Sequence, residues 1–147
     1  YCRQLFLGFC LILKGLKINK GGYVFLVSSY NVKEPDPSLI LSNSFRIEFV
    51  SVSKSISNIF ASDNISFINI APGPILTDRF ISLVDDLAEA EKNLPFGRAG
   101  KPEEIGNFVK SIVQYNVKYL SGVTINFYGA LSKTKILRRA SCGNILT

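Results

Sequence analysis

The stretch Ile65-Ser-Phe-Ile-Asn-Ile70, followed directly by Ala71-Pro-Gly-Pro74, decides the fold class. It is a short apolar run rich in β-branched residues, and the prolines and glycine end it abruptly. Such a run is typical of a strand covered on both faces of a parallel sheet. Tyr23–Val27 and Val123–Phe127 have the same character, so the sequence predicts three strands of this kind.

Predicted helices separate these strands. The dense apolar residues from Leu5 to about Leu16 predict a helix, and the glycines of Lys20-Gly21-Gly22 predict its left-handed C-cap. Between the first two strands, apolar residues recur every three or four positions and predict a long helix, capped by Asp36 or Ser38. That apolar stripe comprises Leu41, Phe45, Phe49, Val52, Ile56 and Phe60.

The second half of the chain predicts two more helices, a short one around Asp85–Lys92 and another that starts at Pro102. Proline at the first helical position and acidic residues in the first turn both favour this start. The buried face of the second helix is predicted to comprise Ile105, Phe108, Val109 and Ile112. Alternation of helix and strand implies right-handed crossovers, so the fold class is α/β, with a parallel sheet and helices on both faces.

The composition of the chain limits its number of domains, its cellular compartment and its capacity to bind metal. With 147 residues and 47% hydrophobic content, the chain is long enough for one domain and too short for two. It begins at Tyr1 and contains no Met, so we expect that the natural start is missing. The three cysteines exclude a disulfide framework and suit a reducing compartment, which favours the cytoplasm. Histidine is absent, so we expect no metal site.

Two segments raise the question of membrane or nucleic-acid binding. The apolar run Leu5–Leu13 is too short to span a bilayer, and a buried helix explains it better than a signal peptide because no cleavage site follows. The net charge of +6 is concentrated in the basic tail 131–147, which we expect to be disordered. A short basic tail attracts polyanions weakly and without specificity. We therefore expect neither a nucleic-acid partner nor a membrane partner.

Five stretches together resemble the second half of a short-chain dehydrogenase/reductase, closest to the 3-oxoacyl-carrier-protein reductase-like or sugar dehydrogenase-like branch. They are GGYVFLVSS (21–29), LSNSFR (41–46), NIAPGPILTDR (69–79), PFGRAGKPEEIGNFV (95–109) and YLSGVTINFYGA (119–130). Each is weak alone, but five in register are specific. The resemblance implies that residues 1–130 form the C-terminal half of a Rossmann-type, doubly wound domain.

The resemblance also implies roles for particular residues. Ser29 would hydrogen-bond the oxygen of a small carbonyl or alcohol substrate. The loop after the second strand would hold the nicotinamide of NAD or NADP, through Pro72, Gly73, the backbone of Ile75 and the hydroxyl of Thr77. The segment Asp78–Leu94 corresponds to a mobile substrate lid. Arg98, Glu103 and Glu104 match a structural element of the family.

The chain departs from the family at its Y-x-x-x-K pair, in which a phenol exchanges the proton and a lysine one turn later lowers the phenol pKa. Leu39 and Asn43 occupy the corresponding positions, and neither can perform that chemistry. Tyr30 and Lys33 are only three residues apart and precede the long helix, so they do not form the pair. Lys54 lies on that helix, but no tyrosine precedes it by four residues. The departure is consistent with a subgroup of the family.

A glycine-rich T-G-x-x-x-G-x-G turn, which would cradle the cofactor phosphates, is absent from the sequence. Three hypotheses follow. In the first, the chain is a truncated NAD(P)-dependent oxidoreductase, inactive alone. In the second, it is a non-catalytic member of the family that acts as a dimerisation module. The third is polyanion binding through the basic tail. In either of the first two, we expect a homo-oligomer formed by the 5–16 and 39–60 helices.

Overall fold

The computed structural model describes residues 12–131. Residues 1–11, which include most of the predicted first helix, and residues 132–147 of the basic tail lie outside this range. Residues 12–18 are helical and are labelled α1. The other elements are β1 (Gly22–Val27), α2 (Ile40–Ile59), β2 (Ile65–Pro72), α3 (Asp78–Ile81), α4 (Leu87–Lys92), α5 (Pro102–Gln114) and β3 (Val123–Phe127). Short 3-10 helices cover Tyr30–Val32, Pro37–Leu39 and Ala61–Asp63.

The three strands form one sheet in the order β1-β2-β3, and both pairs are parallel. Every residue of the central strand β2 is buried. Its side chains alternate between two cores, because successive residues of a strand point to opposite faces. Ile65 and Phe67 pack with Leu13 on the side of α1 and α2, whereas Ile68 and Ile70 pack with Ile112 of α5. The predicted α/β fold, with helices on both faces of a parallel sheet, is confirmed.

Strand β1 is less covered than its sequence predicts. It was expected to be buried on both faces, but its residues are only partly buried and Val27 is 58% exposed. The reason is its place in the sheet. Within residues 12–131, β1 pairs with β2 on one side and with no strand on the other.

The buried face of helix α2 is not the face that carries most of its apolar stripe. Its buried residues are small or polar, namely Asn43, Ser53 and Ser57. Of the stripe, Ile56 and Phe60 pack on the core, whereas Leu41 is 76% exposed and Phe45 is 55% exposed. Small side chains allow the helix to lie close to the sheet, as at Gly122, where an added Cβ would be 2.6 Å from Ser57 Oγ. Periodicity alone therefore identified the helix correctly but not its buried side.

Two predicted caps are also displaced. After α1, the positive-φ backbone begins at Lys20 (φ 59°), one residue before the glycines. Gly21 follows with φ 125°, in a position where an added Cβ would be 2.5 Å from the carbonyl oxygen of Asn64. Asp36 caps the 3-10 helix Pro37–Leu39 through Ser38 N–H (2.9 Å), while the N-cap of α2 is Leu39, with no side-chain hydrogen bond.

No helix within the described range is long and apolar enough to cross a membrane.

Candidate functional site

Three segments meet at the carboxyl edge of the sheet. Because the strands are parallel, Ser28-Ser29 after β1, the loop after β2 and Tyr128 after β3 all leave the sheet at the same edge. Direct contacts join them. Ser28 N–H donates to Ile70 O (2.8 Å), and Gly73 N–H donates to Phe127 O (3.0 Å). This edge is where open α/β sheets bind ligands.

Ser29 begins the 3-10 helix Tyr30–Val32 as its N-cap. Its Oγ accepts a hydrogen bond from Asn31 N–H (3.3 Å). A hydroxyl that accepts in this way keeps its own hydrogen for donation. The side chain is half-buried, so a substrate oxygen could receive that hydrogen bond. The role predicted for Ser29 stays a prediction, since its observed partner is the local backbone.

Leu39 and Asn43, which were aligned with the missing tyrosine and lysine, have different surroundings. Leu39 is 45% exposed, and Asn43 is buried, with its side-chain amide donating to Asp36 O (2.8 Å). From α2, the side chain of Arg46 reaches the end of β1, and Ser42 is hydrogen-bonded to Arg46. Arg46 Nη1 donates to Ser28 O (2.8 Å), and Arg46 Nε donates to Ser42 Oγ (3.1 Å).

The loop after β2 is held by an isolated parallel bridge between Ile75 and Gly100. Its hydrogen bonds run from Gly100 N–H to Pro74 O (3.0 Å) and from Leu76 N–H to Gly100 O (2.7 Å). In a parallel bridge the central residue directs its own N–H and C=O to the opposite side. The backbone of Ile75 therefore turns its polar groups away from Gly100, which suits recognition of a carboxamide.

Gly73 and Thr77 each have a structural role in this loop. An added Cβ at Gly73 would be 2.6 Å from Tyr128 Cβ, so the absence of a side chain here allows the loop to pack against the end of β3. Thr77 caps α3, since its Oγ accepts from Phe80 N–H (3.2 Å) and donates to Ile75 O (3.4 Å). Pro72 ends β2 and is buried. Cofactor contact by these residues stays a prediction.

A cleft of about 260 Å³ lies beside this loop. Pro74 and Ile75 form part of its wall, and Phe96, Arg98, Asn126 and Tyr128 contribute from the other segments. The ring of Tyr128 also meets that of Tyr30, with centroids 6.5 Å apart. The segments that follow β1 and β3 are thus in contact at this edge, next to Ser29.

Arg98 and Glu104 form a bidentate ion pair beside the cleft. Arg98 Nη1 and Nη2 donate to the two carboxylate oxygens of Glu104 at 2.8 and 2.9 Å. Glu104 also accepts from Lys101 N–H (2.7 Å) and so reaches back over the start of α5. The hydrogen bond from Arg98, with that from Lys101, lowers the pKa of Glu104 to about 2. These contacts agree with the structural role expected for Arg98 and Glu104.

The low pKa of Glu104 predicts how stability depends on pH. Because the ionised carboxylate is favoured in the folded state, its contribution is complete above the ordinary value of 4.5 and is lost as pH falls towards 2. We expect Glu104→Gln to remove this part of the pH dependence. Urea unfolding of the full-length protein at several pH values in that window measures it. Glu103→Gln, which deletes a charge from the same turn, is the control and should retain the wild-type slope.

Sequence reasoning passed over Ser42 and Arg46, although both lie in the stretch LSNSFR (41–46) that carries part of the resemblance. The available signal was their spacing. They are four residues apart, as are the hydroxyl and the cation of Y-x-x-x-K, and they lie three residues beyond Leu39 and Asn43. The contact of Arg46 with the strand end became visible only in the folded chain.

Comparison with known proteins gives a consistent result. No family model matches the chain. It is 31% identical over 108 residues to dehydrogenase/reductase SDR family member 4 of Oryctolagus cuniculus, covering 71% of this chain and 42% of that protein. It is 26% identical over 121 residues to the 3-oxoacyl-acyl-carrier-protein reductase FabG of Vibrio harveyi, covering 82% and 50%.

Among solved structures, YwfH, an NADPH-dependent reductase involved in bacilysin biosynthesis, matches with a TM-score of 0.73 and 24% identity. The match covers 81% of this chain and 50% of that one. It supports the fold. The chain spans about half the length, or less, of the curated relatives that it matches.

Proposed function

Because the chain belongs to the short-chain dehydrogenase/reductase family, we propose that it supplies the substrate-binding and nicotinamide-binding half of an NAD(P)-dependent oxidoreductase. The reaction would interconvert a carbonyl and an alcohol on a small molecule. The observation that carries the proposal is the convergence of Ser29, the loop Pro72–Thr77 and the cleft at one edge of the sheet.

The residues at this edge fit the nicotinamide end of the cofactor. The N–H and C=O of Ile75 point away from the Gly100 bridge and suit a carboxamide, and Thr77 closes the same turn. A reduced nicotinamide supplies a hydride, that is two electrons and one proton, to a carbonyl carbon. Ser29 would donate its hydroxyl hydrogen to the substrate oxygen. The cofactor phosphates would be held by a glycine-rich turn that this sequence does not contain.

The exposed apolar stripe of α2 supports a proposal about assembly. Leu41, Phe45 and Phe49 lie on the outer side of the helix, where apolar side chains favour a covering surface. We propose that a second copy of the protein covers them. The mass of the protein in solution tests this.

A cytoplasmic location stays a prediction.

Titration of the protein with NADH and NADPH tests the oxidoreductase proposal. We expect NADH or NADPH to give a saturable change in nicotinamide fluorescence, and reduction of at least one member of a panel of ketones and aldehydes. Ser29→Ala should lower kcat/KM by about 10²-fold while cofactor affinity changes little, because the lost hydrogen bond is to the substrate oxygen.

Ser55→Ala is the matched control. Ser55 is exposed on α2, and its hydroxyl donates only to Ser51 O (3.1 Å). Its removal should leave both cofactor affinity and turnover unchanged. If neither cofactor binds and no carbonyl is reduced, the proposed function is wrong.

A further inference from the structure

Ser42 and Arg46 place a hydroxyl and a cation on one face of α2, one helical turn apart. The two side chains are in contact, with Arg46 Nε donating to Ser42 Oγ at 3.1 Å. Both are half-buried, so they are neither part of the core nor fully solvated. The arrangement is a hydroxyl whose oxygen already accepts a hydrogen bond from a guanidinium.

This pair lies at the carboxyl edge of the sheet. Arg46 Nη1 donates to the carbonyl oxygen of Ser28 (2.8 Å), which is the residue before Ser29. The surroundings are polar as well. Asn31, whose N–H donates to Ser29 Oγ, and Asn43, next to Ser42, are both more than nine-tenths buried. Neither side-chain carbonyl has a donor among residues 12–131, and buried acceptors normally have one. The pair therefore lies beside a polar part of the interior, and its own half-buried hydroxyl is the group that a ligand could reach.

We propose that Ser42 is the catalytic hydroxyl that hands a proton to the substrate oxygen, and that Arg46 is its positioning residue. This inference rests on the proposed function. Ser42 and Arg46 would fill the roles for which Leu39 and Asn43 are chemically unsuited, and Ser29 would hold the same substrate oxygen from the strand side.

In reduction, a bound reduced nicotinamide would supply a hydride to the carbonyl carbon, and the carbon–oxygen π electrons would move to the oxygen. The oxygen then needs one proton, which Ser42 Oγ–H gives, and Ser42 recovers a proton from water. Arginine stays protonated in proteins and cannot be the donor. Its positive charge beside Oγ stabilises the negative charge that develops there, which is the usual benefit of a fixed cation in an active site.

A purely structural role for Arg46 is the alternative. Its bond to Ser28 O also ties α2 to β1, and a clamp of this kind would affect stability. The two roles differ in what they predict for turnover. A clamp affects folding and the binding of all ligands together, whereas a proton-handling pair affects kcat and leaves cofactor affinity in place.

The test uses the full-length protein with steady-state kinetics, NAD(P)H titration and thermal melting. We expect Ser42→Ala to lower kcat by about 10²-fold, in the range usual for loss of a general acid, with cofactor affinity changed little. Ser42→Thr, which keeps a hydroxyl, should recover most of that loss. Arg46→Ala should lower kcat by about 10²-fold or more, and millimolar guanidinium should restore part of it.

Ser44→Ala is the matched control on the same helix. Ser44 is exposed, and its hydroxyl donates to Ile40 O (2.9 Å). It should have wild-type kcat. If the wild type turns over and Ser42→Ala matches Ser44→Ala, the proposed pair is wrong and the proposed function stands. Loss of kcat in Arg46→Ala without any rescue, and with a lower melting temperature, would establish the clamp instead. If the wild type neither binds cofactor nor turns over, both proposals fail.

Discussion

Phe67→Ala in the full-length protein is expected to lower the free energy of unfolding by about 3–5 kcal/mol, the usual cost of removing a fully buried phenylalanine. Phe67 is 1% exposed in the middle of β2. Its ring packs against that of Phe60 (centroids 6.5 Å apart), in the core shared with Leu13. Truncation would leave a cavity between the central strand and two helices, which the rigid sheet cannot close.

Urea unfolding measures this loss, and Phe96→Ala is its control. Phe96→Ala removes the same side chain, but at a position that is 67% exposed. Its truncation should shift the free energy of unfolding by no more than about 0.5 kcal/mol, as is usual at the surface. Equal losses in the two variants would contradict the placement of Phe67 between β2 and the helices.

Gly73→Ala is expected to affect both stability and activity. The added Cβ would be 2.6 Å from Tyr128 Cβ and 3.0 Å from Tyr128 Cα. These atoms cannot rotate away, so the loop after β2 or the end of β3 must move. Overpacking of this kind typically costs about 1–3 kcal/mol. A displacement of about 1 Å at a site that positions reactants can lower turnover by roughly 10²-fold.

The matched control is Gly106→Ala, in α5, where an added Cβ would meet nothing within 4 Å. Alanine favours helix over glycine by about 1 kcal/mol, so this variant should be as stable as the wild type or more so. Urea unfolding and NAD(P)H titration of both variants provide the comparison. Wild-type stability of Gly73→Ala would show that β3 does not approach the loop as described.

Local patterns predicted the elements well because they depend on few neighbours. Val123–Phe127 is a strand with the predicted bounds, and α5 starts at Pro102 with the predicted buried face. The prediction that failed concerns the surroundings of a strand, since β1 was expected to be covered on both faces and lies at an edge in the described part of the chain. The stripe of α2 that includes Leu41 and Phe45 faces outward, and its periodicity did not indicate which side would be covered. Which side of an element is covered depends on what packs against it.

The candidate site also has one part that a local motif predicts and another that depends on how the elements pack. The loop Pro72–Thr77 could be identified from a contiguous motif, since its turn chemistry is local. The contact of Arg46 with Ser28 O joins residues 18 positions apart and depends on how α2 crosses the end of β1. Alignment by motif therefore pointed to Leu39 and Asn43, whereas the folded chain brings Arg46, with Ser42 hydrogen-bonded to it, to the strand end.

By itself, the sequence determined that this protein has a parallel α/β sheet, because strand runs, helix periods and turn residues are encoded locally. Its family followed from the resemblance of five contiguous stretches, which are also local. Only the tertiary structure decided why Gly73 must be glycine, since the reason is the approach of Tyr128, which follows β3 more than 50 residues later. It also decided which polar side chains gather at the carboxyl edge. The grouping of these side chains depends on packing between elements, so the sequence of any single segment does not specify it.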